Sequence, residues 1–280
     1  MTTDSYKGYI ELQFKTDEEL ASFYEKNIIP DNLLVNEYLL IRDKENNIVD
    51  KYKFNGTKLI PITYQCLVSK TFGKIKPKDE IQELAVDALK SSDLIMLRGP
   101  AGTGKSYLAL GYLFEALEKN KISKIIIFCN TVATAGSAKL GYYPGSREDK
   151  LLDSQVGNFL SSKLGSFTEV ERLIETEQLL LLPMSDIRGY DTTGLNAGIY
   201  IQESQNFDVE LLKLALQRIG DDCICIIDGD NTTQVDDNRF AGDRNGMKRM
   251  SEVFRGQDYY SEIELNKIYR SRIAERAQLM

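Results

Sequence analysis

Eight consecutive residues, Gly99-Pro100-Ala101-Gly102-Thr103-Gly104-Lys105-Ser106, place glycine, lysine and a hydroxyl at the spacing that cradles a phosphate. The glycines let successive backbone N–H groups turn inward around a β-phosphate, where a Cβ would obstruct them. Lys105 then reaches the β- and γ-phosphates, and the Ser106 hydroxyl ligates Mg2+. The chemistry predicted is binding of a nucleotide such as ATP, with Mg2+, on Gly99, Pro100, Ala101, Gly102, Thr103, Gly104, Lys105 and Ser106.

The flanks fit that reading. Leu94 to Leu97 reads as a buried parallel strand, and Leu110, Leu113, Phe114 and Leu117 recur at helical spacing, so the positive end of a helix faces the phosphates. Further strands are expected at Ile125–Phe128, Gly198–Ile201 and Ile224–Asp228, with helices around Leu211–Ile219 and through Ile81, Leu84, Ala85, Ala88 and Leu89. Strands alternating with helices predict an α/β fold of the P-loop NTPase kind, with a doubly wound, mainly parallel sheet covered on both faces.

In such sheets ligands bind outside the carboxyl ends of the strands. Glu203 follows Tyr200-Ile201-Gln202, where it is placed to orient or deprotonate an attacking water. Asp228-Gly229-Asp230 closes the next strand. Asp230 is a candidate for the water shell of the metal, and the Gln234 amide for bonding the γ-phosphate and reporting its loss.

The core is assigned to residues 71–280 and a small N-terminal α+β domain to residues 1–70. Within the latter, Ile10, Leu12 and Phe14 alternate as in a strand, and Thr16 with Glu19 forms a capping box ahead of Leu20, Phe23 and Tyr24. Tyr38–Arg42 and Val49–Phe54 flank a hairpin turn at Glu45-Asn46-Asn47. Nothing there carries recognisable chemistry, so a packing or oligomerisation element is expected. Thr71 to Lys78, basic and broken by Gly and Pro, reads as the junction.

Composition narrows the classes. The chain has 280 residues, 42% hydrophobic and 28% charged, which argues against wholesale disorder. A net charge of -7 requires any nucleic-acid contact to come from a local basic patch. No histidine is present, which excludes Ser-His-Asp, Cys-His and His-metal chemistry. Cys223 and Cys225 share a strand face, so a metal clip is conceivable. With no second ligand pair, buried core thiols are the favoured reading. Neither a secretion signal nor a membrane-length apolar run is evident, and a cytoplasmic protein without membrane contact is expected.

Several motifs in order complete a pattern. Beside the phosphate loop stand Leu140-Gly141-Tyr142-Tyr143-Pro144-Gly145, Ile187-Arg188-Gly189 and Glu203-Ser204-Gln205-Asn206. Gly229-Asp230 with Gln234-Val235-Asp236, and Arg270-Ser271, follow. From about Lys76 to Met280 the chain resembles the PhoH-like ATPases, relatives of superfamily 1 helicases. Asn36 to Pro61 resembles the stretch that precedes the ATPase in longer members beginning with a nuclease; the chain is too short for that nuclease, so RNA cleavage is not expected.

The resemblance implies an ATP-hydrolysing core acting on RNA or single-stranded DNA in a helicase-like way, as a homohexameric ring. It assigns catalytic roles to Lys105, Glu203 and Gln234, an adenine contact to Gln82, and an arginine finger from a neighbouring subunit to Arg270, with Arg188 as its rival. Lys139, Tyr142, Tyr143, Arg147 and Lys150 interleave cations and aromatics, either to hold a single strand or to pack against an adjacent subunit.

Two departures stand out. The family's Asp-Glu-Ala-Gln-Asn reads Gln202-Glu203-Ser204-Gln205-Asn206, without the aspartate that normally holds the water shell of Mg2+. Either hydrolysis needs unusually high Mg2+, or Asp228 or Asp230 substitutes from the adjacent strand, or the site binds ATP and scarcely turns it over. After Phe128 the family's Arg-Pro is replaced by Cys129-Asn130-Thr131, which weakens the case for motor action. The alternative function is a nucleotide-controlled assembly module.

Overall fold

The sheet at the centre alternates its side chains between two apolar layers, as strands buried on both faces must. The structure is a computed structural model that describes residues 6–26, 28–129, 155–164, 167–230, 242–269 and 276. In chain order its strands are β1 (Tyr9–Gln13), β2 (Tyr38–Arg42), β3 (Ile48–Phe54), β4 (Leu59–Pro61), β5 (Leu67–Ser69) and β6 (Gly73–Ile75). Then come β7 (Leu94–Arg98), β8 (Lys124–Cys129), β9 (Leu179–Pro183), β10 (Ala197–Ile201), β11 (Ile224–Gly229) and β12 (Tyr260–Glu264). The helices are α1 (Asp17–Lys26), α2 (Glu80–Ser91), α3 (Lys105–Glu118), α4 (Gln155–Leu164), α5 (Phe167–Glu175), α6 (Val209–Leu216) and α7 (Gly246–Phe254).

Six strands form the main sheet in the order β12-β7-β11-β10-β8-β9, with every pairing parallel. Ile95, Leu97, Ile125, Ile127, Tyr200 and Ile226 join the layer made with α2, α3, α4 and α5. Leu94, Met96, Ile126, Phe128, Ile199, Ile201 and Ile227 join the opposite layer with α6 and α7. This is the doubly wound α/β arrangement of a P-loop NTPase. Cys223 and Cys225 sit in that second layer, and burial pushes the Cys225 thiol up, as for core thiols.

The N-terminal sheet runs β1-β2-β3-β4, with β1 and β2 parallel and the remaining pairs antiparallel. One face closes on α1 through Phe23, Leu33, Leu39 and Ile41. The other meets α2: the Tyr38 hydroxyl donates to Asp87 at 2.9 Å, Lys51 pairs with Glu83 at 2.7 Å, and Lys53 donates to Ser91 at 2.8 Å. At α1 the Glu19 amide donates to Thr16 Oγ1 at 3.2 Å, while the Glu19 carboxylate accepts from the Lys15 amide at 2.9 Å. The return bond thus goes one residue further back than a capping box predicts.

Thr71 to Ile75, read as part of a junction, instead supplies one arm of the β5–β6 hairpin, whose Leu67, Phe72 and Ile75 are buried in the layer with α3. Beside β7, Arg98 and Glu262 are both buried and pair at 2.6 Å. Burial pushes the Glu262 carboxyl up, and the guanidinium opposes it. No helix among the described residues is long and apolar enough to cross a membrane.

Candidate nucleotide site

Strand order decides which side chains meet. β11 lies between β7 and β10, with Asp228 level with Leu97 and Ile227 level with Ile201. The loop that leaves β7 at Gly99, the turn that leaves β10 at Gln202 and the end of β11 therefore share one edge.

The loop turns on Gly99, Gly102 and Gly104, at φ of +135°, +88° and +97°. A Cβ on Gly99 would stand 1.9 Å from the carbonyl oxygen of Leu265. Alanine at Gly99 is expected to cost about 3 kcal/mol or more, lowering the melting temperature by roughly 10 °C. An unchanged melting curve would contradict this close approach. Thr103 Oγ1 braces the loop by donating to the Pro100 carbonyl at 2.9 Å. Lys105 Nζ arcs back over it, donating to the carbonyls of Gly99 at 2.5 Å and Pro100 at 3.0 Å.

Helix α3 begins on Gly104 in the left-handed region, with no side-chain cap and no acidic residue in its first turn. By contrast α2, α6 and α7 are capped by Asp79, Asp208 and Asn245. Gly104 thus gives the start of α3 no side-chain cap, and the helix dipole favours an anion there.

Gln82 braces the outside of the loop. Its Nε2 donates to the Thr103 carbonyl at 3.0 Å and its Oε1 accepts from the Lys78 amide at 2.9 Å. Both ends of the amide expected at adenine are thus engaged between α2 and the loop. Tyr269, which the sequence reading missed, joins them. Its amide donates to the Gly102 carbonyl at 2.9 Å, its hydroxyl bonds Asp79, and the Lys78 ammonium lies 4.8 Å from its ring centroid.

Asp228 is the hub between strands, at 1% exposure. Its Oδ2 accepts from Ser106 Oγ at 3.0 Å and from the Tyr200 hydroxyl at 2.5 Å, and its Oδ1 accepts from the Glu203 amide at 3.0 Å. Burial, with this carboxylate beside it, holds the Tyr200 phenol well above its usual range, so it stays a donor. A serine hydroxyl joined to a carboxylate is an oxygen donor set of the kind Mg2+ prefers, so these residues fit that cation. Asp230 is placed differently: it is buried, and its amide donates to Gln205 Oε1 at 3.2 Å.

Glu203 stands at φ 55°, ψ 43°, left-handed for a residue that tolerates it poorly. Among the described residues, four of the six non-glycine residues with positive φ are asparagines, for which this region is ordinary. The turn swings Glu203 off β10 into the short 3-10 helix Ser204–Asn206. Gln205, also missed as a site residue, donates from Nε2 to Glu203 Oε2 at 2.6 Å and so ties this carboxylate to the Asp230 turn.

Gln234 and Arg270 lie outside the described residues, as do Lys139, Tyr142, Tyr143, Arg147 and Lys150. Arg188 is exposed and lines a cleft with Asp208, Leu211 and Lys213.

Comparison with known proteins identifies similar chains. The family described as PhoH-like protein matches residues 74–280. A PhoH-like protein of Bacillus subtilis (strain 168) is 33% identical over 195 residues, covering 69% of this chain and 59% of that protein. Protein PhoH2 of the same organism is 28% identical over 295 residues, covering 98% of this chain and 64% of its own length. The chain thus spans less than two-thirds of either relative. Among solved structures, the Pif1 helicase from Candida albicans is similar over 71% of this chain and 42% of its own, at 18% identity and a TM-score of 0.33.

Proposed function

The chain belongs to the family of PhoH-like proteins, and from that premise we propose that it binds ATP with Mg2+ on the Gly99–Ser106 loop and hydrolyses it in step with RNA or single-stranded DNA. The observation that carries this reading is the Glu203 turn. A carboxylate in a conformation that costs about 1–3 kcal/mol is held at a strand end by Asp228, which also holds Ser106.

In this reading Lys105 exchanges its bonds to the Gly99 and Pro100 carbonyls for the β- and γ-phosphate oxygens. Ser106 holds Mg2+, which when bound neutralises charge on the phosphates. Glu203 accepts a proton from the attacking water, and Gln205 keeps the receiving oxygen in place. Gln234 reports the γ-phosphate, and Gln82 turns toward adenine after giving up Thr103. Arg270 of a neighbouring subunit supplies charge to the transition state, making turnover depend on a homo-oligomeric ring, hexameric by the family resemblance.

Gln205→Ala is expected to lower kcat roughly ten-fold or more while leaving KM within two-fold of its starting value, about the noise of such comparisons. An unchanged kcat in steady-state assays would remove Gln205 from the mechanism.

A second reading, a nucleotide-controlled assembly module with little turnover, draws on Gln202, which brings no charge to the end of β10. ATPase assays of the purified protein with and without single-stranded RNA and DNA separate the two. Stimulation that fades steeply as salt rises supports action on nucleic acid. Turnover indifferent to both strands would leave the assembly reading standing.

A further inference from the structure

We propose that Asp228 supplies the negative charge of the Mg2+ site, so that the carboxylate absent from the end of β10 is provided from β11, one strand closer to the phosphate loop. The inference rests on the nucleotide-binding function proposed above and concerns which residue completes the cation site.

Four observations converge on it. Gln202, at the end of β10, is half-buried and brings a neutral amide. Asp228 is fully buried, and one of its oxygens accepts from the Ser106 hydroxyl at 3.0 Å, the hydroxyl that the loop motif devotes to the cation. The donors on Asp228 are Ser106, Tyr200 and the Glu203 amide, all neutral, and among the described residues no lysine or arginine pairs with it. Finally, β11 is hydrogen-bonded to both β7 and β10, which brings Asp228 level with Leu97, near the end of β7 and just before the loop.

A buried carboxylate is costly unless paired or bound to a metal. Three neutral hydrogen bonds offset part of that cost, and a dication on Ser106 supplies the missing countercharge. The same carboxylate holds the amide that fixes the Glu203 turn, so cation binding and the posture of Glu203 share one residue. On this assignment Mg2+ is expected to saturate at ordinary millimolar concentration, in contrast to the unusually high requirement expected if no carboxylate completes the site.

The test is fluorescence titration of a labelled ATP analogue in EDTA and then in Mg2+, with Mn2+ binding followed by electron paramagnetic resonance as a second readout. The unsubstituted chain is expected to bind the analogue at least ten-fold more tightly with Mg2+. Asp228→Asn should reduce that enhancement to two-fold or less and weaken Mn2+ uptake while leaving binding in EDTA nearly unchanged. Gln202→Asp added to Asp228→Asn should restore at least half of the enhancement, because it returns a carboxylate to the neighbouring strand end.

Gln202→Ala should leave the enhancement intact, and its loss there would refute the assignment even if Asp228→Asn fails to fold. Full enhancement in a folded Asp228→Asn chain, or its loss in Gln202→Ala, would overturn the assignment. Binding of the analogue without any Mg2+ enhancement in the unsubstituted chain would overturn it as well. Failure of that chain to bind the analogue under either condition would instead overturn the proposed function, and this inference with it.

Discussion

Glu203→Gln is expected to lower ATP turnover by about 10²–10⁴-fold while ATP still binds. The amide is nearly isosteric with the carboxylate and retains an oxygen for Gln205 Nε2, so the turn keeps its bond from that side chain. The backbone amide of residue 203 still reaches Asp228, since that bond does not involve the side chain. What is lost is the ability to take a proton from water. Single-turnover hydrolysis alongside nucleotide affinity checks this, and a loss below ten-fold with unchanged affinity would assign the water to another group.

The second large effect falls on Lys105. Its ammonium rests on two loop carbonyls, Gly99 and Pro100, and is placed to exchange them for phosphate oxygens. Lys105→Ala is expected to reduce turnover on the order of 10²–10³-fold and to weaken triphosphate more than diphosphate, since the lysine serves the β- and γ-phosphates. The melting temperature should change little, because the side chain is only partly buried and the loop retains its Thr103 brace. Turnover unaffected by the substitution would place hydrolysis at a different site.

How much of this was legible in the sequence follows from what each element must bury. β7, β8, β10 and β11 are interior parallel strands packed on both faces, so they read as unbroken apolar runs. β12 hid because its buried Glu262 interrupts the run, and that burial is made tolerable by Arg98 across the pair and by the Tyr260 hydroxyl, which donates to the carboxylate at 2.8 Å. β9 offered four leucines, too few to separate a strand from a helical segment by periodicity. The β5–β6 hairpin alternates Leu67, Ser69 and Ile75 with the exposed Val68 and Lys74, and its burial depends on α3, distant in sequence.

The site divides in the same way. The phosphate loop and Glu203 were legible because local spacing and strand-end position define them. The bond from Ser106 to Asp228 spans 122 residues and depends on β11 lying between β7 and β10, which no local pattern reveals. The sequence pointed to Asp230 as the metal candidate, with Asp228 only as an alternative. Strand register separates them, setting one on the serine and the other on the Gln205 turn. Tyr269 escaped because its role is a set of contacts with distant residues, and Gln205, though within the Glu203–Asn206 motif, showed its role only once the Asp230 turn was placed beside it.

The most direct measurement of the central claim is calorimetric titration of the purified chain with ATP and with ADP in the presence of Mg2+. Saturable uptake at one site per chain, abolished or strongly weakened by Lys105→Ala, is the predicted result. No uptake of either nucleotide at millimolar concentration would contradict it.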